Sequence, residues 1–95
     1  MKNLPLEIFV WDIRRESDNI KKHDVDFKTA EMAFFDPNKL IYLGKENKTE
    51  KRFLCIGKVN GKIISVRFVI RGNRIRIFGA SKYRKDRRRY EENKR

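Results

Sequence analysis

Carboxylates are missing from the middle of this chain: none occurs between Glu50 and Asp86. Cysteine and histidine appear once each in 95 residues, and proline twice. A lone cysteine, Cys55, cannot close an internal disulfide, which excludes the stapled framework of a small secreted domain. One histidine and one cysteine, without paired-ligand spacing, give no metal centre, so neither metal nor other cofactor is expected. There is no glycine-rich phosphate loop and no Ser-His-Asp pattern. No apolar run approaches the roughly 18 residues of a membrane span. The N-terminus, with Glu7 and Asp12 close behind Lys2, does not resemble a signal peptide. The cytoplasm is therefore the expected compartment, with no membrane association. A basic membrane-surface helix fits poorly, because the last segment lacks a broad apolar face.

What the chain does have is charge of one sign in one half. The first fifty residues balance at 9 − 10 = −1, the remaining forty-five at 16 − 3 = +13, and the sum is the net +12. Concentrated like charge works against a compact fold, so such a field implies a polyanion that neutralises it, and nucleic acid is the first candidate. Charged residues make up 40 % of the chain, well above the usual share of about 25 %. The 39 % apolar residues nevertheless cluster in periodic runs, which argues for a folded domain rather than disorder. The length fits one domain, residues 1–95, with no repeat and no linker.

The pattern predicts an α+β domain in the order βααβββα, with one further short strand possible. Glu7 to Trp11 reads as a strand. Asp12 suits the N-cap of a helix reaching about His23, whose Ile13 and Ile20 form a narrow apolar stripe. Asp26 is positioned to cap a second helix that ends at Asp36-Pro37. Leu40 to Leu43 is the possible short strand, and Gly44 to Glu50 a polar loop. Arg52–Val59, Lys62–Ile70 and Arg74–Ala80 are strand-length runs, the first two joined by Asn60-Gly61, a strong hairpin signal. A two-residue turn there pairs Val59 with Lys62, and the second turn pairs Ile70 with Ile75. Phe53, Cys55, Gly57, Ile64, Val66, Phe68, Ile75 and Ile77 then share a core face toward the N-terminal helices. The other face carries Leu54, Ile56, Ile63, Ser65, Arg67, Val69, Arg74, Arg76 and Phe78. Its aliphatic part needs a cover, which Ser81 to Asn93 supplies as a helix, with Ser81 as a cap and Tyr83 and Tyr90 seven apart.

An ordered set of motifs runs through this pattern. Trp11-Asp12, Lys22-His23-x-Val25-x-Phe27-x-x-Ala30 and Phe34-x-Asp36-Pro37 come first. Arg52-Phe53-Leu54-x-Ile56-Gly57-Lys58, Arg71-Gly72-Asn73-Arg74-Ile75-Arg76-Ile77 and the basic run before Tyr90-Glu91-Glu92 follow. From Phe9 to Glu92 the set resembles the BrnT toxins. The resemblance implies a RelE-like fold: two N-terminal helices on one face of an antiparallel sheet of about four strands, and a basic C-terminal helix. It implies a metal-independent ribonuclease of a type II toxin–antitoxin module, neutralised by an acidic BrnA-like antitoxin, with operator DNA reached only through that complex. Two departures stand out. Asp24 replaces the glycine that usually follows Lys-His, and Phe78-Gly79-Ala80-Ser81 stands where the family tends to read Ile-Ser-Ala-Arg.

Metal-free RNA cleavage uses the neighbouring 2′-hydroxyl as nucleophile. It needs a base, an acid for the departing 5′-oxygen, and cations for the phosphoryl oxygens. Arg67, Arg74 and Arg76 are the candidates to grip a phosphate, the alternative being solvated charges on a strand face. His23, near a helix C-terminus that favours its protonated form, suits an acid or a phosphate contact; otherwise it ends the helix beside Trp11 or Phe27. Lys22 is its weaker neighbour. Tyr83 can stack on a base or donate a proton, and Phe78 can stack, though both are also explained by packing. Ser81, Lys82, Arg84, Arg87, Arg88 and Arg89 form an RNA-binding fringe whose contacts are salt-sensitive and sequence-blind. The same surface suits two rival readings: a non-catalytic RNA- or ribosome-binding module, or a protein that mainly binds an acidic partner. Cys55 is expected to be buried and inert.

Overall fold

Over the residues it describes, 8–46 and 50–93, the computed structural model runs β1 (Phe9–Trp11), α1 (Ile13–His23), α2 (Phe27–Met32) and a 3-10 turn at Ala33–Phe35. It continues through β2 (Leu40–Glu46), β3 (Lys51–Val59), β4 (Lys62–Arg71), β5 (Arg74–Ser81) and α3 (Arg84–Asn93). Asn60 and Gly61 take positive φ of 50° and 82°, as a two-residue hairpin turn matched to strand twist requires. Val59 lies opposite Lys62 and Arg52 opposite Val69, the register that the turn predicts. Ile70 likewise lies opposite Ile75.

The sheet differs from the expectation of about four antiparallel strands. It has five, in the order β1-β5-β4-β3-β2, and it is mixed, because β1 runs parallel to β5 with Phe9 opposite Ile75. Strands joined by tight turns must be antiparallel, but β1 reaches the sheet through helices and is free of that constraint. Of the expected Gly44 to Glu50 loop, residues 44–46 extend β2 and 47–49 lie outside the described residues, as does Glu7 of the first strand. The last helix starts at Arg84; Ser81 is the end of β5, not a cap.

Phe27, Ala30, Ala33 and Phe34 pack onto Cys55, Val66, Phe68 and Ile77, the predicted core face. Phe34 meets Phe9 and Phe68 at centroid distances of 5.0 Å, and Phe68 stacks on Phe53 at 5.4 Å. Full burial of each such ring is worth roughly 1.5–3 kcal/mol. Burial pushes the Cys55 thiol up to about 12, so it is inert at neutral pH.

The first helix is attached in a different way. Its apolar stripe faces solvent: Ile13 is 76 % exposed and Ile20 42 %. Polar groups face the protein instead. Asp12 caps α1 through the amides of Arg14 and Arg15, and the Glu16 carboxylate accepts the Phe27 N–H at 2.9 Å. Buried Asn19 donates to Val25 and Ala80 carbonyls at 2.8 and 2.9 Å and accepts the Ala80 N–H at 3.0 Å. The pairing of β1 with β5 ends at Trp11 opposite Ile77. Beyond it the Asn19 amide does for Ala80 what a further strand residue would do. Two isoleucines in eleven residues offered too little apolar area to compete with satisfying that edge.

On the opposite face, α3 covers Ile56 and Ile63 with Tyr90. Asp86, buried, accepts from Ser65 Oγ at 2.8 Å, and the Tyr90 hydroxyl donates to Asp36 at 2.5 Å. Asp36 also accepts the Lys58 N–H at 2.7 Å.

Two measurements test these attachments. Asn19→Ala removes three buried hydrogen bonds and should lower the unfolding free energy by about 3 kcal/mol, read from urea midpoints. A loss under about 1 kcal/mol would mean that Asn19 does not hold α1 in place. Burial, then the Asp36 carboxylate, pushes the Tyr90 phenol from 10.0 up to about 12. A raised folded pKa gives stability that is complete below about pH 10 and lost as pH rises through about 12. Tyr90→Phe should remove that part of the alkaline decline, and identical pH profiles for the two proteins would refute it.

Candidate nucleic-acid cleft

The side of the sheet that carries α3 is laid out in cross-strand rows. Ile56, Ser65 and Ser81 form one row, Leu54, Arg67 and Gly79 the next, and Arg52, Val69 and Arg76 the third. The Ile56 row lies beneath Asp86 and Tyr90. Arg67 and Arg76, in the next two rows, remain partly open.

Between the second and third rows the strand pairing slips. Phe68 faces Ile77, but Arg67 faces Gly79, leaving Phe78 as an extra residue in β5. Such a bulge puts two successive residues on one side of the sheet. Phe78 and Gly79 thus both accompany Arg67, and Ala80 turns into the core. Gly79 makes room for the arginine: a methyl group there would overlap the Arg67 guanidinium, lying 2.7 Å from its Cζ and Nε. The side chain that this chain lacks at Gly79 is the space that Arg67 occupies.

Tyr83, in the β5–α3 connection, is 45 % exposed and meets His23 edge-on at 6.1 Å between ring centroids. His23 ends α1, and Asn19, one turn earlier, is what anchors that end to β5. Asp24, the residue replacing the usual glycine, takes the left-handed conformation itself, at φ 57°. Aspartate is among the few non-glycine residues that tolerate it. The Tyr83 phenol is held below the ordinary tyrosine value, first by the Ser81 hydroxyl and then by the Arg67 guanidinium, with burial opposing both. The Ser81 influence is one of proximity: its buried Oγ makes no hydrogen bond of good geometry.

Two small cavities flank Phe78 and share Arg15. One, of about 210 Å³, holds Lys22, His23 and Arg67, with Asp18 at its rim. The other, of about 200 Å³, holds Arg52, Arg71 and Arg76. Arg52 stacks over the Phe78 ring at 5.2 Å, and Arg71 is tied to Glu50 at 2.6 and 3.0 Å. Glu50 is held ionised by that pairing, its carboxyl below the usual range.

His23, Lys22, Arg67 and Phe78 thus share one cavity, Arg76 lies in the other across Phe78, and Tyr83 stands against His23 while lining a third. Arg74, exposed at the start of β5, lines neither cavity. Lys82, Arg84 and Arg87 lie on the far side of Tyr83, in a third cavity. Arg88 is exposed on α3, and Arg89 lies over the Tyr42 ring at 5.1 Å. Arg15, Arg52, Asn19 and Gly79 belong to the site without having been anticipated. Arg15 and Asn19 give no signal in a polar helix, and the role of Gly79 depends on the bulge. Among the described residues no group of three or more His, Cys, Asp or Glu side chains gathers to hold a metal ion. No described helix is long and apolar enough to cross a membrane.

Arginines, one imidazole and an acidified phenol thus lie near one another on a small α+β domain of net charge +12. Residues 11–87 match the family of ribonuclease toxins, BrnT, of type II toxin–antitoxin systems, and the chain belongs to that family. No individual curated protein matches it.

The Arg67–Tyr83 coupling can be read by spectrophotometric titration of the phenol. Arg67→Gln should raise its midpoint toward that of free tyrosine. Gly79→Ala should act the same way by displacing the guanidinium. Unchanged midpoints in both would show that Arg67 does not act on Tyr83.

Proposed function

We propose that this chain is a cytoplasmic endoribonuclease toxin that cleaves RNA without a metal ion, by transesterification in the cleft between α1 and the bulged end of β5. The observation that carries this reading is the position of His23, which shares a cavity with Arg67 and stands ring-to-ring against Tyr83, so that three groups from three elements lie side by side.

In this reading Arg67 and Arg76 bind the non-bridging oxygens of the scissile phosphate. Guanidinium groups suit that task, since they present forked donors and stay charged throughout. His23 here takes the base's role, not the acid's expected from its helix-end position, because the Tyr83 phenol beside it is the better-placed donor. The imidazole accepts the proton of the 2′-hydroxyl as its oxygen attacks phosphorus. The bond to the 5′-oxygen breaks, a 2′,3′-cyclic phosphate forms, and Tyr83 protonates the departing oxygen. A phenol is protonated at neutral pH, which makes it the donor of the pair, and a pKa held below the ordinary tyrosine value makes it a better one. Phe78, braced by Arg52, offers a ring face to a neighbouring base. The partner that restrains the activity is an acidic antitoxin, in keeping with the basic surface, and operator DNA is contacted only through that complex.

Cleavage of labelled RNA in excess chelator tests the proposal. The wild-type chain should yield 2′,3′-cyclic phosphate ends. His23→Ala and Tyr83→Phe should each lower kcat about 100-fold or more. Arg67→Ala should lower kcat/KM by about 100- to 1,000-fold. Activity abolished by chelator, or undiminished in all three variants, would overturn the mechanism. Tight RNA binding with no cleavage would favour the non-catalytic module.

A further inference from the structure

The largest of the three cavities, about 610 Å³, lies beyond Tyr83 from His23. Lys58 and Lys62 enter it from the tip of the β3–β4 hairpin, Lys82 and Arg84 from the β5–α3 junction, and Arg87 from the first turns of α3. Five cations therefore face one carboxylate, Glu91, which Arg87 already engages at 3.6 Å. Tyr83 lines this cavity while its ring stands against His23, so the groove begins where the cleft ends.

We propose that this groove is a second RNA subsite. It holds the backbone of the strand that continues past the scissile phosphate, with Lys58, Lys62, Arg84 and Arg87 contacting successive phosphates. The proposal rests on reading the cleft as an RNA site, but not on cleavage taking place there. Its chemistry favours a sugar-phosphate backbone over a protein. The centre of a protein–protein interface is apolar and depleted of charge. Here the lining is cationic, and the aliphatic contribution is Ile63, already buried beneath Tyr90. Lysine and arginine side chains are the usual means of positioning a nucleic-acid backbone without reading its sequence. The two-residue turn sets the backbone positions from which Lys58 and Lys62 extend.

The test uses 2′-O-methyl RNA, which lacks the nucleophile, so that affinity is measured apart from cleavage. Oligomers of about four and about 20 nucleotides are compared, the shorter spanning little more than one subsite. Wild-type protein should bind the longer oligomer more tightly. In a Lys58→Gln, Lys62→Gln double variant that gain should shrink about tenfold. The slope of log affinity against log salt should also fall by about 1.4, or about 0.7 for each of two phosphates. Arg84→Gln, on a different element, should act in the same direction and guards against a local defect in the hairpin. An unchanged length gain and salt slope in both variants would overturn the subsite, as would equal losses on the two oligomers. A surface reserved for an acidic protein would give the first of those results. Wild-type protein that shows the length gain but never cleaves unmodified RNA would sink the ribonuclease reading while supporting the subsite.

Discussion

Because Phe78 bulges out of β5, the strand presents Phe78 and Gly79 to the same side of the sheet, and its inner and outer positions are exchanged from there to Ser81. Without that slip Ala80 would face outward and Gly79 would face the core. Arg67 would lie against a side chain instead of in the space above a glycine. The bulge also sets where β5 ends, and hence where Tyr83 emerges. Asn19 completes the arrangement from the other side by pairing with Ala80, the residue just past the slip. Imidazole, phenol and guanidinium therefore meet through one backbone irregularity and one buried amide.

The net charge of +12 comes with a division of labour, in which several carboxylates serve as hydrogen-bond acceptors within the fold. Asp12 and Asp26 cap helices, and both are held below the usual carboxylate range, chiefly by the Arg15 amide and the Thr29 hydroxyl respectively. Glu16 satisfies the amide of Phe27, Asp86 is buried on Ser65, and Asp36 takes the Lys58 amide and the Tyr90 hydroxyl. Glu50 is paired with Arg71 at the margin of the cleft. Acidic residues here chiefly do structural work and the basic residues remain for a ligand. Such a division suits a small domain that must be stable and still attract a polyanion.

The two departures from the family pattern become intelligible at the same corner. Asp24 takes the left-handed conformation at the end of α1, one that a glycine adopts more easily. Gly79 gives up a hydroxyl but accommodates an arginine from the neighbouring strand. Ser81, in place of an arginine, is buried in the row that α3 covers and lies close enough to Tyr83 to favour its ionised form.

Turn chemistry and alternation made the β3–β4–β5 meander legible residue by residue, from Val59 opposite Lys62 to Ile70 opposite Ile75. These are local effects: positive φ at Asn60-Gly61 sets the register, and a period of two then sorts the side chains to faces as far as the bulge at Phe78. Helix caps at Asp12 and Asp26 were legible for the same reason, as was the charge asymmetry that pointed to a polyanion. What only tertiary structure decided came from long-range competition for unpaired backbone. The parallel seat of β1, the outward turn of Ile13 and Ile20, and the clasp of Asn19 on Ala80 all answer the open edge of β5. No local pattern encodes that edge. The bulge at Phe78 likewise depends on matching β5 to β4 while α1 and α3 load its two faces, so the place where His23, Arg67 and Tyr83 meet was fixed by packing.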